Sequence, residues 1–67
     1  MLNLEKYLFK NVLIKDTNDN IHKGYVDLYE NELDSGYGEP SIGILPNKDA
    51  KDGIELVLSE IKSIEFI

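Results

Sequence analysis

The apolar residues of this chain occur in short runs that clusters of turn-forming residues interrupt. Such clusters lie at residues 16–20, 30–40 and 46–53, and a shorter break falls at Ser59 and Glu60. Apolar runs of roughly four to eight residues between turn signals are typical of strands and are too short for independent helices. The chain is therefore expected to form a sheet of short strands.

Five strands are predicted, at residues 11–14, 21–29, 41–45, 54–58 and 62–67. Gly24 falls inside the second strand, where a glycine usually marks a bulge or a sharp bend. Such a bend lets a small sheet curl on itself and protect its edges. The alternation predicts one strand face with His22, Gly24, Val26 and Leu28 and the opposite face with Tyr25 and Tyr29.

A short amphipathic helix is predicted before the strands, over about residues 3–10. The apolar residues of this segment include pairs three and four residues apart, and Asn3 is a suitable N-cap. They are Leu2, Leu4, Tyr7, Leu8 and Phe9. The predicted fold is thus mainly β: an N-terminal short helix followed by a five-stranded, strongly bent antiparallel barrel. Residues 1–67 are expected to form a single domain.

The size of the chain limits its stability as an isolated monomer. A domain near this length buries only about 60% of its unfolded surface. The sequence has no cysteine, so no disulfide or Cys-based zinc site stabilises it. The chain is then either an economical small barrel or bundle, or a subunit that gains stability by assembly as a homo-oligomer. The start of the chain lacks a basic signal-peptide pattern and no window has the roughly 20 apolar residues of a membrane span, so we expect a cytoplasmic protein with no membrane partner.

The charge disfavours nucleic acid as a partner without excluding it. Thirteen acidic side chains stand against seven basic ones, which gives a formal net charge of −6, and the seven are scattered lysines. A surface of this sign repels phosphate backbones, and arginine, the usual residue for bidentate phosphate recognition, is absent. A protein partner fits this composition better.

The segment KDTNDNIHKG, residues 15–24, contains a run of oxygen-bearing side chains that resembles a calcium loop. Asp16, Asn18, Asn20 and Asp27 fall at the first, third, fifth and twelfth positions of an EF-hand pattern. Ile21 falls at the sixth position, where glycine is needed, and a β-branched residue adopts that conformation poorly. The segment is therefore predicted to be a hairpin turn, with its oxygens facing water, and no metal site is expected.

No catalytic residue and no cofactor site is predicted, so the chain is not expected to be an enzyme. The acidic loop with Glu30, Glu32, Asp34 and Glu39 has no neighbouring nucleophile. His22 is the only base available to the serines, and none of these lies in a nucleophile-elbow pattern.

Three tyrosines form the predicted interaction surface together with two acids. Its residues are Tyr25, Tyr29, Glu30, Asp34 and Tyr37. Tyrosines without basic neighbours fit a protein interface, although stacking on a base or packing beneath the N-terminal helix are alternatives.

The order of one helix and five bent strands resembles the Sm-like (LSm) fold family. Gly24, Val26, Tyr29-Glu30 and Leu33-Asp34 have the spacing of the family's first motif, with Glu30 in place of the usual aspartate and Asp34 in place of the usual asparagine. Val57-Leu58 stands where the second motif has arginine and glycine. The chain thus resembles a small, divergent bacterial-type member that lacks the usual RNA-binding pocket residues.

The resemblance implies self-association, because family members commonly pair strand four of one subunit with strand five of the next. The residues implied are Ile54, Leu56, Leu58, Ile64 and Phe66. The expected function is a small, non-enzymatic, Sm-like interaction module that self-associates. Two alternatives stay open: an RNA-binding Sm-like regulator, and an acidic protein that masks a basic partner.

Overall fold

The computed structural model describes residues 3–67, and within them five antiparallel strands form one sheet. The strands are β1 (Asn11–Asp16), β2 (Ile21–Glu30), β3 (Ser41–Leu45), β4 (Ile54–Val57) and β5 (Ile61–Phe66). Their order in the sheet is β4-β3-β2-β1-β5. The prediction of a mainly β chain with five antiparallel strands is confirmed. No helix in these residues has the length and apolar character needed to cross a membrane.

The N-terminal segment is a single 3-10 turn, so the predicted helix over residues 3–10 is wrong. The turn, η1, covers Leu4–Tyr7, and the side chain of Asn3 accepts a hydrogen bond from the Glu5 amide, as expected for a cap. The helix ends early because Phe9 takes a left-handed conformation with φ 64° and its amide donates to the Val26 carbonyl. Leu2, which belonged to the predicted helix pattern, lies outside the described residues.

One apolar cluster forms the core, and η1 and all five strands contribute to it. Its buried members are Leu4, Tyr7, Val12, Ile14, Val26, Ile42, Ile44, Leu56 and Ile61. In β1 the buried residues alternate, and in β3 the buried Ile42 and Ile44 flank Gly43, which fills the core from one face of the sheet. The role of η1 is to cover this face, since Leu4 and Tyr7 are both buried.

The irregularity in β2 lies between Val26 and Leu28, later than the predicted bend at Gly24. The register of the β2–β3 pair shifts there, so one extra residue, Asp27, is inserted. Val26 faces the core before the bulge and Tyr29 packs against the core after it. The predicted faces of β2 are therefore wrong beyond Val26: Leu28 faces outward, and Tyr29 no longer shares a face with Tyr25.

Gly24 is needed for close packing. A Cβ atom built on it lies 2.2 Å from the carbonyl oxygen of Leu45 and 2.7 Å from a methyl carbon of Ile44. Any side chain here would force β2 and β3 apart, so the glycine brings the two backbones together where the sheet turns.

The last two strands are joined by a second 3-10 turn, η2, at Leu58–Glu60. The sequence predicts this turn one residue later, at residues 59–61, and assigns Leu58 to the strand. The turn begins early because the Glu60 carboxylate accepts a hydrogen bond from the Val57 amide at 3.0 Å. It connects the two edges of the sheet, since β4 and β5 lie at opposite ends of the strand order.

Candidate interaction site

A shallow concavity of about 430 Å³ lies on the outer face of β2, β3 and β4. We call it the outer groove, and its lining includes the side chains of Asp27, Leu28, Glu30, Lys51, Ile54 and Glu55, around Gly43. Leu28 pairs with Gly43 and Gly43 pairs with Glu55, so the three residues lie in one row across the sheet. Because Gly43 has no side chain, the middle of this row is open.

The bulge in β2 creates the apolar part of the groove. It turns Leu28 outward, and this side chain is 46% exposed. A Cβ atom on Gly43 would lie 3.2 Å from the Asp27 carboxylate and 3.3 Å from Leu28 Cβ. Both side chains therefore lean over the glycine and border the floor of the groove.

A fixed carboxylate, that of Glu55, borders the other side of the row. Its Oε1 accepts a hydrogen bond from the Tyr37 hydroxyl at 2.9 Å, and its Oε2 accepts one from the buried Ser41 hydroxyl at 3.1 Å. The bond to Glu55 raises the pKa of Tyr37, and the negative charges of Glu55, Glu30 and Glu60 raise it further. The hydrogen bond has the largest effect on this pKa, and the smaller effects of Glu30 and Glu60 reflect the negative charges near this end of the outer face.

The loop between β2 and β3 is exposed, as predicted, and several hydrogen bonds fix its path. At its start the Asn31 side chain accepts from the amides of Leu33 and Asp34, which makes one helical turn. At its end the Glu39 carboxylate accepts from both the amide and the hydroxyl of Ser59. This clamp ties the loop to η2 and holds Tyr37 in reach of β4.

The five residues of the predicted interaction surface are only partly brought together. Tyr25, Glu30 and Tyr37 lie on the outer side of the sheet, by the alternation of β2 and the contact of Tyr37 with Glu55. Tyr29 is partly buried and packs against the core, on the opposite face of β2 from Tyr25. Asp34 lies in the exposed turn at the start of the loop.

Four of the five residues of the predicted self-association surface lie in the edge strands β4 and β5, and the fifth, Leu58, lies in η2. Ile54 at the β4 edge is 46% exposed and Phe66 at the β5 edge is 55% exposed. Leu56 belongs to the core, and Leu58 and Ile64 pack against it. Phe66 also stacks on the ring of Tyr7, with centroids 4.7 Å apart. Ile54 and Phe66 are therefore the members whose side chains stay accessible.

The segment KDTNDNIHKG forms the predicted hairpin turn, but the oxygens of Asp16 do not face water. Its Oδ1 accepts from the amides of Asn18 and Asn20 at 2.8 and 2.9 Å, and its Oδ2 lies 2.8 Å from His22 Nε2. The bond from His22 lowers the pKa of the Asp16 carboxyl from 3.8 to about 2, against the opposing effect of burial. Asp19 completes the turn in a left-handed conformation with φ 65°.

Among residues 3–67 no three His, Asp or Glu side chains gather closely enough to hold a metal ion. Asp16, the residue that the calcium pattern singles out first, instead binds the backbone of its own turn.

Comparison of the chain with protein-family models, curated proteins and solved structures gives no match. The resemblance to the Sm-like family thus stays a prediction from the motif around Gly24.

Sequence reasoning missed Leu28, Gly43 and Glu55 as members of a common surface. An apolar residue in a strand is ordinarily assigned to the core, and nothing in the sequence marks the bulge at Asp27. The alternation in β3 does place Gly43 on the sheet face opposite to the one on which Ile42 and Ile44 are buried. That alternation was the available signal for an open floor.

Proposed function

We propose that this chain is a small, non-enzymatic interaction module that self-associates through the edges of β4 and β5. The observation that carries the proposal is that β4 and β5 are the two edge strands of one sheet. An edge strand presents unpaired backbone N–H and C=O groups, which bind a further strand readily. Joining the β4 edge of one subunit to the β5 edge of the next is a head-to-tail contact, which generates a ring where the rotation closes.

We further propose that the sheet curls into a small Sm-like barrel. The proposal is supported by the core, in which Leu56 from one edge strand and Ile61 from the other join the same apolar cluster. The shift at Asp27 in β2 and a second register shift between Lys15 and Asp16 in β1 bend the sheet in the same way as bulges in closed sheets.

The contacts of the acidic residues favour a binding role over catalysis. The carboxylate of Glu55 holds Tyr37 and Ser41, and that of Glu39 holds the η2 turn at Ser59. The carboxylate of Asp16 is bound to its own hairpin. A carboxylate used in this way stabilises a loop, and its remaining lone pairs can accept a hydrogen bond from a cationic partner.

The mass of the assembly tests the proposal. Light scattering after size exclusion, at tens of micromolar protein, is expected to give a multiple of the 7.6 kDa chain mass. Ile54→Lys places a charge on the β4 edge and is expected to yield monomers. Leu33→Lys is the matched control, since Leu33 is 87% exposed in the loop and lies away from both edges. A wild-type mass of 7.6 kDa would refute self-association.

The proposal and the alternative of an RNA-binding regulator make opposite predictions for nucleic acid, and the proposal predicts no binding. A titration with labelled U-rich RNA at low salt is expected to show no binding in the micromolar range, because Glu30 and Asp34 place negative charge at two positions of the first Sm-like motif. Micromolar or tighter binding that weakens as salt is added would favour the RNA-binding alternative instead.

A further inference from the structure

We propose that the outer groove binds an extended, basic segment of a partner protein, in which lysine or arginine alternates with an apolar side chain. This partner class goes beyond self-association, because the groove uses side chains on the outer face of the sheet rather than the backbone of its edges. The proposal rests on the shape, the apolar content and the charge of the groove.

The shape of the groove suits a narrow, extended chain. Gly43 leaves the floor open, and the row from Leu28 through Gly43 to Glu55 crosses the strands. A volume of about 430 Å³ accommodates one or two side chains, at the lower end of the range for ligand sites. Leu28, 46% exposed, is the apolar surface on which such a side chain packs.

The negative charge of the groove favours a ligand with positive charge. Three carboxylates, those of Asp27, Glu30 and Glu55, face one ammonium group, that of Lys51. The negative charges of Glu30 and Glu55 also contribute to the raised pKa of Tyr37. Lysine and arginine place an apolar stem on a surface while their charged ends reach a rim, which matches Leu28 beside these acids.

The geometry favours a peptide over other cationic ligands. A metal ion needs several carboxylates around one point, and the described residues contain no such group. In the groove the acids lie instead on two different strands, β2 and β4, with Gly43 of β3 between them. Cationic groups spaced along an extended chain match such separated carboxylates. Glu55 is already held by Tyr37 and Ser41, so little side-chain freedom is lost when it binds.

Fluorescence anisotropy with a labelled peptide, Lys-Leu-Lys-Leu-Lys, at low salt tests the proposal. Wild type is expected to bind this peptide, and the peptide with glutamate in place of lysine is expected not to bind. The double variant Asp27→Asn with Glu30→Gln is expected to weaken binding about tenfold, since an exposed ion pair contributes up to roughly fivefold in affinity. Leu28→Ala is expected to weaken it about threefold, without a change of charge.

A matched double variant separates the groove from the overall charge of the chain. Glu32→Gln with Asp34→Asn removes the same number of charges from exposed positions in the loop. It is expected to bind the basic peptide within twofold of wild type. Equal weakening by the two double variants would overturn the proposal, because attraction would then depend on net charge alone. Thermal melting of each variant verifies that it is folded.

The remaining outcomes are also decisive. Failure of wild type to bind the basic peptide, or equal binding of the acidic one, would overturn the proposed partner class. Phe66→Lys, on the β5 edge and outside the groove, is expected to keep peptide binding within twofold, because the groove lies within one subunit. A monomeric wild type that binds the peptide through Asp27 and Glu30 would refute self-association and leave the groove proposal supported.

Discussion

The close approach of β2 and β3 at Gly24 gives the sharpest stability prediction. In Gly24→Ala the new Cβ atom lies 2.2 Å from the Leu45 carbonyl oxygen, whereas ordinary contacts begin at 3.4 Å. Relief of this overlap requires the two strands to separate locally by about 1.2 Å. The obstacle is backbone, which cannot rotate away as a side chain can.

The expected cost is about 2–3 kcal/mol, at the upper end of the range for overpacking. A chain of 67 residues has a free energy of unfolding of about 3–10 kcal/mol, so this change removes a large part of it. For a domain of this size the loss corresponds to a fall in Tm of roughly 8–24 °C.

Urea and thermal unfolding followed by circular dichroism measure this loss. The control is Gly43→Ala, where the nearest atoms belong to the side chains of Asp27 and Leu28 at 3.2 and 3.3 Å. The Asp27 carboxylate can rotate away, and Leu28 Cβ is only slightly closer than an ordinary contact. The reduced freedom of the unfolded chain offsets this crowding, so the control is expected to stay within about 1 kcal/mol of wild type. Equal losses in Gly24→Ala and Gly43→Ala would refute the reasoning.

Three further predictions follow from the core, the loop clamp and the hairpin. Ile14→Ala is expected to lower the free energy of unfolding by about 2–5 kcal/mol, whereas the exposed Leu33→Ala changes it by less than about 0.5 kcal/mol in the same urea titration. Glu39→Ala removes both bonds to Ser59 and is expected to cost about 1 kcal/mol; an unchanged midpoint would show that the clamp adds nothing. The pKa of Asp16 is about 2 in the folded chain and 3.8 without its contacts, so wild-type stability should be fully present above about pH 4 and fall towards pH 2. Asp16→Asn is expected to flatten this decline, and an identical pH profile in the variant would count against the assignment.

The strands were predictable because they are delimited by local signals. Clusters that contain Asp, Asn, Gly or Pro follow β1, β2 and β3, and these residues determine the chain direction within a few positions. The 3-10 form of η1 was not predictable, because it depends on the Phe9 amide reaching the Val26 carbonyl, a contact between distant positions. The spacing of Leu4 and Tyr7 does indicate that both side chains are buried. An α-helix and a 3-10 turn can each bury them, so the spacing does not distinguish the two.

The candidate site was less predictable than the fold. The bulge at Asp27 reverses the outward and inward positions that follow it, so alternation alone assigns Leu28 and Tyr29 to the wrong faces. Glu55 accepts hydrogen bonds from Tyr37 and Ser41, which lie 18 and 14 residues before it in the sequence. Such separations are beyond the reach of any local pattern.

Hydrogen–deuterium exchange of the two edge strands tests the proposed self-association most directly. Exchange is measured over Ile54–Val57 and Ile61–Phe66 at low and at high protein concentration. Pairing of these edges predicts that protection rises with concentration in both segments, while the central strand β2 stays unchanged. The same protection at every concentration would contradict pairing through these strands.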